Sequence, residues 1–389
     1  MRKESLIIRN FGPIKEVVLD DIRPLTVIIG PSGIGKSTIL KVVSLFRWIL
    51  KMLSIRAYLK RSGMRKQPFR LMISSYIKNN GWTGFVSKDT VIEYHFGAIE
   101  IVYRNGKLNN PKITNGENLH LEKVSFISDS RIIIPDILAL KAKTEDFYTN
   151  ETLEDFTLAM DQLTEVPIPY LGVKGVTRKQ GSKKEYMVQS TDDENAYDIR
   201  LDNSSSGTQT AMSIEAIVRY YTSDKYDLVK SLNRAILGYL ASYDKFTELK
   251  FAQNIGDIPS RRVSLMIEEP ELSLSPEMQI ALLNNLVCRC FTPGPKDYEM
   301  GVFITTHSPY IVNQLNLLIL AGDRGITVEN ASLKYEDIQV YRLTKKEGLA
   351  SLKSRNRQFI DPLPLSDSIS DIYDQYRSIV SETTEESDD

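Results

Sequence analysis

Two hydrophobic rhythms alternate along this chain, and each change of rhythm marks an element. Residues 1 to about 130 read as strand pairs around one long helix, which runs from Lys36 to about Lys60. "TVIEYHF" and "AIEIVYRNGKL" alternate with period two and predict a hairpin pair. "KVSFISDSRIIIPDI" (123–137) starts as a strand, residues 132–165 take helical spacing, and "GVTRKQGSKKEYMVQ" predicts a basic hairpin. Farther on, "YYTSDKYDLVKSLNRAILGYLASYDKFTELKF" (220–251) has helical spacing and reads as a tyrosine-rich packing helix. Two short apolar runs, one ending at Glu268 and one ending before His307, predict buried strands with polar tips. Strands and helices interleaved in this way predict an α/β fold.

Composition adds little to this picture, but the placement of charge adds more. With 389 residues, 42% apolar and 25% charged, the chain can bury a sizeable core. Net charge is −1 and so indicates no partner, yet Ile22 to Lys88 holds thirteen Lys or Arg and no acid. Within it, residues 51–70 pack seven bases among Tyr58, Phe69 and aliphatic residues, an expected surface for nucleic-acid phosphates or an acidic partner. From Asp361 to Asp389 nine acids face one base, Arg377, as in a solvated or docking tail. Cys288 and Cys290, two positions apart on a helix, face different directions, which fits a reducing cytosol better than a disulfide or shared metal. The start lacks a signal-peptide core, and the uncharged run 301–322 is too polar to span a bilayer. The expectation is a cytoplasmic protein with no membrane association.

Chemistry concentrates in four short stretches. Gly30-Pro31-Ser32-Gly33-Ile34-Gly35-Lys36-Ser37, followed by Thr38, matches G-x-x-x-x-G-K-[ST] between a strand and a helix. Glycines there let backbone N–H groups curl around phosphates at a helix N-terminus. Lys36 would reach the β- and γ-phosphates, and the Ser37 hydroxyl would join a magnesium shell. Glu268, at a strand end, can hold that magnesium, and Glu269 can address an attacking water. His307, one of only three histidines, stands at another strand end, where imidazole can bond the γ-phosphate or the water. Ser205-Ser206-Gly207-Thr208-Gln209 opens a helix as a second anion seat or an ordinary N-cap.

Taken in order, these stretches resemble the ATPase head of the ABC superfamily, in the soluble branch that includes RecF, SMC and OLD-type ATPases. The resemblance implies a P-loop NTPase head with a mixed central sheet, an antiparallel β subdomain and a helical signature lobe. It makes residues 30–38 Walker A, 205–209 the signature, 265–271 Walker B with Glu269 as catalytic glutamate, and His307 the switch histidine. It also implies ATP and Mg2+, slow or partner-stimulated hydrolysis, and a homodimer or higher oligomer in which Ser205, Ser206, Gly207 and Gln209 of one head close over the nucleotide of the other. A separate effector, a nuclease or toxin, in antiviral defence or genome maintenance is the implied setting. The alternatives are an ATP-locked scaffold binding nucleic acid or a toxin, a RecF-type repair ATPase, and a transporter energy subunit. The corresponding expected divisions are 1–130, 131–262, 263–345 and an acidic extension, 346–389. Three features depart from the pattern: Glu268 replaces the usual aspartate, 61 residues separate Gly207 from Glu268, and no Q-loop glutamine is evident. Arg131 or Asp129 is expected to touch nucleotide or couple the lobes instead. The acids of a TOPRIM nuclease, which OLD proteins carry, are missing, as is any heptad arm.

Overall fold

The computed structural model describes residues 2–377 apart from 62–70, 72, 110, 112, 114–117, 182, 193, 195, 242–257, 259, 355–357, 363–364 and 366–371. Three strands open the chain: β1 (Glu4–Phe11), β2 (Ile14–Ile22) and β3 (Leu25–Ile29), followed by the long helix α1 (Lys36–Arg61). After α2 (Ile73–Asn79) come β4 (Val86–Phe96), β5 (Ile99–Arg104), β6 (Lys107–Leu108) and β7 (His120–Ile127). A middle region follows, made of α3 (Ile134–Leu140), α4 (Phe147–Gln162), β8 (Val166–Ile168), β9 (Val173–Gln180), β10 (Lys183–Ser190), β11 (Asp198–Arg200), α5 (Ser206–Tyr221) and α6 (Leu228–Ala241). The chain then forms β12 (Ser260–Glu268), α7 (Pro276–Phe291), β13 (Glu299–Thr306), α8 (Pro309–Asp323), β14 (Ile338–Thr344) and β15 (Gly348–Ser351).

These strands form three sheets, and the largest has the order β15-β14-β3-β13-β12-β7. Its inner strands run parallel, with β15 antiparallel at one edge, so the carboxyl ends of β3, β13 and β12 lie side by side. Such an edge is where open α/β sheets bind ligands. Period-two alternation divides its side chains between two faces. Ile28, Phe126, Met266 and Phe303 pack toward α1, while Val27, Leu265, Ile267, Val302 and Ile304 pack with α5, α7 and α8 through Ile214, Leu283 and Ile311. The antiparallel sheet β2-β1-β4-β5-β6 covers the far side of α1, and β11-β10-β9-β8 makes a third, smaller sheet. The chain is therefore α/β with a mixed central sheet, an antiparallel β subdomain and a helical lobe.

Lying between two sheets, α1 has no wet face over its first four turns: Ile39, Leu40, Val42, Val43, Phe46, Ile49 and Leu50 are all buried. A helix covered on both sides is a core helix, and the charged residues it carries there, Lys36, Lys41 and Arg47, have partners. This revises the reading of the acid-free stretch, much of which is interior. Of its bases within 51–70, Lys51 and Arg56 are half-buried and only Lys60 and Arg61 are exposed, while Arg65, Lys66 and Arg70 lie outside the described residues. Burial also pushes the Lys51 ammonium down to about 8. The tyrosine-rich interval becomes α6, whose Leu228, Leu232 and Ile236 join the core. Its remainder, 242–251, and the acidic tail beyond Arg377 lie outside the described residues. Among those described, no helix is long and apolar enough to cross a membrane.

One charged cluster ties the β subdomain to the central sheet. Glu4 of β1 accepts hydrogen bonds from Arg47 Nε (2.7 Å), Arg262 Nη1 (2.8 Å) and the Tyr94 hydroxyl (2.8 Å). Arg262 also donates to Glu122 of β7 at 3.0 Å, and all of these residues are buried. Burial alone would raise the Glu4 carboxyl, but Arg262 and Arg47 more than offset it and hold the pKa at about 2. A folded pKa below the unfolded one means stability that is complete above about 4.5 and lost as pH falls toward 2. Between pH 7 and pH 3 the wild type should therefore lose about 2 kcal/mol through Glu4 alone. Urea unfolding of wild type and Glu4→Gln across that range measures it, and parallel losses would remove Glu4 from the acid response.

Candidate nucleotide site

The phosphate loop begins where β3 ends. Gly30 sits against a neighbouring strand so closely that a Cβ would lie 2.3 Å from the Leu343 carbonyl oxygen. Gly35 has φ +103°, a conformation that side chains rarely adopt. The loop thus needs glycine for both space and backbone shape. Pro31, Ser32 and Gly33 are exposed, whereas Lys36 is buried at the start of α1. Its Nζ donates to the carbonyl oxygens of Gly30 (2.9 Å) and Pro31 (2.8 Å) and lies 3.0 Å from His307 Nε2. Burial lowers the Lys36 pKa, while Glu269 and Glu271 pull it back up.

His307 Nε2 also stands 3.0 Å from Glu269 Oε1 and 3.4 Å from Ser32 Oγ. An ammonium can only donate and a carboxylate can only accept. The ring nitrogen must therefore accept from Lys36 as a bare lone pair or donate to Glu269 as N–H, but not both at once. The ring nitrogen thus lies within hydrogen-bond reach of both the loop lysine and Glu269. Its own backbone N–H donates to Glu271 Oε1 at 2.6 Å.

Glu269 reaches His307 through an uncommon backbone turn, with φ 43°. Such a conformation costs on the order of 1 kcal/mol for a non-glycine residue and persists only when its surroundings impose it. Its N–H donates to the Thr305 carbonyl at 2.8 Å. Its carbonyl accepts from Arg131 Nη2 at 2.5 Å, and Arg131 Nη1 donates to the carbonyls of Glu268 (2.7 Å) and Ser128 (3.1 Å). Arg131 is wholly buried, and burial brings its guanidinium pKa down to about 10 against the pull of Glu271 and Asp129. Of the two roles expected for Arg131, the structure bears on coupling: the side chain fastens the turn after β7 to the end of β12.

Glu268 points toward α1. Its carboxylate is 1% exposed, and burial raises its pKa, with Lys41 and the Ser37 hydroxyl opposing. Oε2 accepts long bonds from Ser128 Oγ and the Asp129 N–H, each 3.4 Å. Oε1 accepts none from the protein, and the Lys41 ammonium stands 3.6 Å from it. Thr305, level with Glu268 on the adjacent strand, also buries a hydroxyl oxygen with no partner. Unpartnered buried oxygens are costly. The Glu268 carboxylate with the Ser37 and Thr305 hydroxyls, and no imidazole or thiol beside them among the described residues, forms a hard oxygen set that fits Mg2+.

The structure thus brings together residues 30–38, Glu268, Glu269 and His307. None of the described hydrogen bonds joins Ser205–Gln209 to the loop at 30–38; the turn lies against the segment after Glu269, with the Thr210 hydroxyl donating to the Leu272 carbonyl. Ser205 caps α5 by accepting from the Thr208 N–H, Gln209 Nε2 bonds the carbonyls of Asp202 and Ser204, and Gly207 lies against Ser273. Ser205 and Ser206 are exposed. Sequence reading missed Lys41 and Ser128, and it gave no individual role to Glu271 and Thr305, which lie inside its motif stretches. Lys41 was accessible to it, since four residues after Ser37 is the same helix face.

Known proteins extend this description. The chain matches no curated protein. Among solved structures it is similar to an SMC head bound to the C-terminal winged-helix domain of ScpA, at 12% identity and TM-score 0.38, covering 90% of this chain and 98% of that one. It is also similar to the SMC head domain from Thermotoga maritima, at 13% identity and TM-score 0.34, covering 91% and 100%. A third is the Smc head with an extended coiled coil bound to the C-terminal domain of ScpA, derived from Pyrococcus furiosus, at 11% identity and TM-score 0.35, covering 90% and 96%. A match to the AAA ATPase domain spans residues 1–255, which includes the phosphate loop and stops before Glu268. With more than half its length in that match and a P-loop at the carboxyl edge of its sheet, the chain belongs to the AAA ATPase domain family.

Proposed function

We propose that this chain is an ATP-driven switch of the ABC type, close to the OLD-like stand-alone ATPases, whose heads pair on ATP and control a separate nuclease or toxin. The observation that carries the reading is His307 Nε2, 3.0 Å from both Lys36 Nζ and Glu269 Oε1, beside a buried Glu268 with an unpartnered oxygen. Lys36 leaves its two loop carbonyls to hold the β- and γ-phosphates. Ser37 and Glu268 hold Mg2+, which when bound neutralises phosphate charge and fixes its geometry. Glu269 orients the attacking water, and His307 bonds either the γ-phosphate or Glu269. The longer carboxylate at 268 makes hydrolysis slow, which suits a timer better than a pump.

The exposed Ser205–Ser206 turn completes this site on a second copy. A mixing experiment tests that arrangement without knowledge of the effector. Lys36→Ala and Ser206→Arg should each be inactive alone, because each spoils both sites of its own homodimer. Mixed in equal amounts they should recover up to about a quarter of the wild-type rate, since half the pairs then hold one intact composite site. No recovery, with both variants folded, would sink the shared-site reading. Light scattering with and without ATP reports the pairing directly.

A further inference from the structure

We infer that Lys41 is a built-in stand-in for the divalent cation, a tethered positive charge that occupies the Glu268 carboxylate until a metal nucleotide displaces it. The inference rests on the proposed metal role of Glu268 and adds a residue and a regulation to it.

The geometry is specific. Ser37 and Lys41 are four residues apart on α1 and so share the face that meets the tip of β12. The Lys41 ammonium stands 3.6 Å from Glu268 Oε1, an oxygen that accepts no hydrogen bond from the protein. It also lies 4.8 Å above the Tyr148 ring and 6.0 Å from the Phe126 ring, two aromatic faces that attract a cation. Glu268 is 1% exposed, and Asp129 donates its backbone N–H to the same carboxylate at 3.4 Å, which brings a second acid beside it. A carboxylate so enclosed needs a positive neighbour to stay ionised. Lys41 supplies one, and its side chain is a quarter exposed, so the ammonium can swing outward into solvent.

This arrangement separates two cargoes. A free divalent cation meets a charge of its own sign at the carboxylate and is held off. A cation arriving with a triphosphate brings negative charge that draws Lys41 away from Glu268. Lys41 therefore makes metal uptake conditional on nucleotide.

Nucleotide-free full-length protein, titrated with Mn2+ alone and followed by electron paramagnetic resonance, tests the idea. Lys41→Met and Lys41→Gln should each bind Mn2+ at least about tenfold more tightly than wild type, given one unit charge removed at this distance. Lys41→Arg should keep the wild-type affinity. Equal or weaker Mn2+ binding by the folded neutral variants would overturn the inference. Adding Glu268→Gln to Lys41→Met should erase the gain. A gain that survives Glu268→Gln would instead remove Glu268 as the metal residue, and so separates failure of the metal assignment from failure of the Lys41 role.

Discussion

Replacing Glu269 by Gln should cut ATP turnover by at least about a hundredfold, the lower end of what a positioned base contributes. ATP binding should persist. The amide has the size and reach of the carboxylate, so the turn at φ 43° and its bonds to Thr305 and Arg131 have no reason to change. What changes is the acceptor aimed at the water. A carboxylate accepts with both oxygens, whereas an amide can present an N–H in the same place. The Glu269→Gln protein should therefore bind ATP with near wild-type affinity and hold its dimers far longer than wild type. Single-turnover phosphate release measures the first effect, and light scattering after an ATP chase measures the second. Equal phosphate release by both proteins would take Glu269 out of the proposed role, and negligible release by both would favour a scaffold that uses ATP as a lock.

The chain shows which of its physical features can be read locally. β3, the loop at 30–35 and the start of α1 form one continuous segment whose glycines, β-branched run and lysine all lie within twenty residues, so both shape and chemistry were legible. The polar tips of β12 and β13 were legible for the same reason: an apolar run that ends in Glu268 or His307 needs a partner there. Charge inside the core was not. Glu4 and Arg262 are 258 positions apart and pair within the interior, yet along the chain they look like any surface residues. The acid-free stretch is a mixed case: α1 lacks acids over its first four turns because two sheets enclose it and an unpaired carboxylate there would be costly, while in 51–70 Lys60 and Arg61 are exposed and three bases lie outside the described residues. Where α1 carries charge in its first four turns each cation has a partner: Arg47 meets Glu4 at 2.7 Å, Lys41 stands 3.6 Å from Glu268, and Lys36 bonds the loop carbonyls.

The signature turn illustrates a third case. Its serines and glycine are readable as an anion seat, but the bonds that hold it are made by Gln209 to Asp202 and Ser204 and by Thr210 to Leu272, while Gly207 packs against Ser273. A single chain can place that turn beside the strand-end acids without closing it over its own phosphates. The seat's proposed purpose requires a second molecule, which no single sequence can display.

Arg131 carries the other large expected effect. Replacing it by Met should lower kcat by roughly a hundredfold, with KM changed by no more than a few-fold, and should destabilise the fold by about 3 kcal/mol. The guanidinium is the donor to three carbonyls, those of Ser128, Glu268 and Glu269, in a place with no exposure at all. Removing it takes one donor from each of those buried oxygens, though Ser128 and Glu269 keep the N–H groups of residue 131 and Leu272, and this accounts for the stability loss. The kinetic loss follows from what the bonds hold. Glu269 keeps its left-handed turn through its N–H and a carbonyl held by both Arg131 and the Leu272 N–H, and loosening one of these two holds lets the side chain shift from His307. Lys36 and the loop are untouched, so nucleotide affinity should remain. Arg131→Lys should rescue little, because an ammonium cannot span three separated acceptors as a planar fork does. Steady-state kinetics at a temperature where the variant is fully folded, alongside urea unfolding, separates the two effects. A variant that loses stability but keeps wild-type kcat would show that Arg131 only braces the fold and that Glu269 holds its position without it.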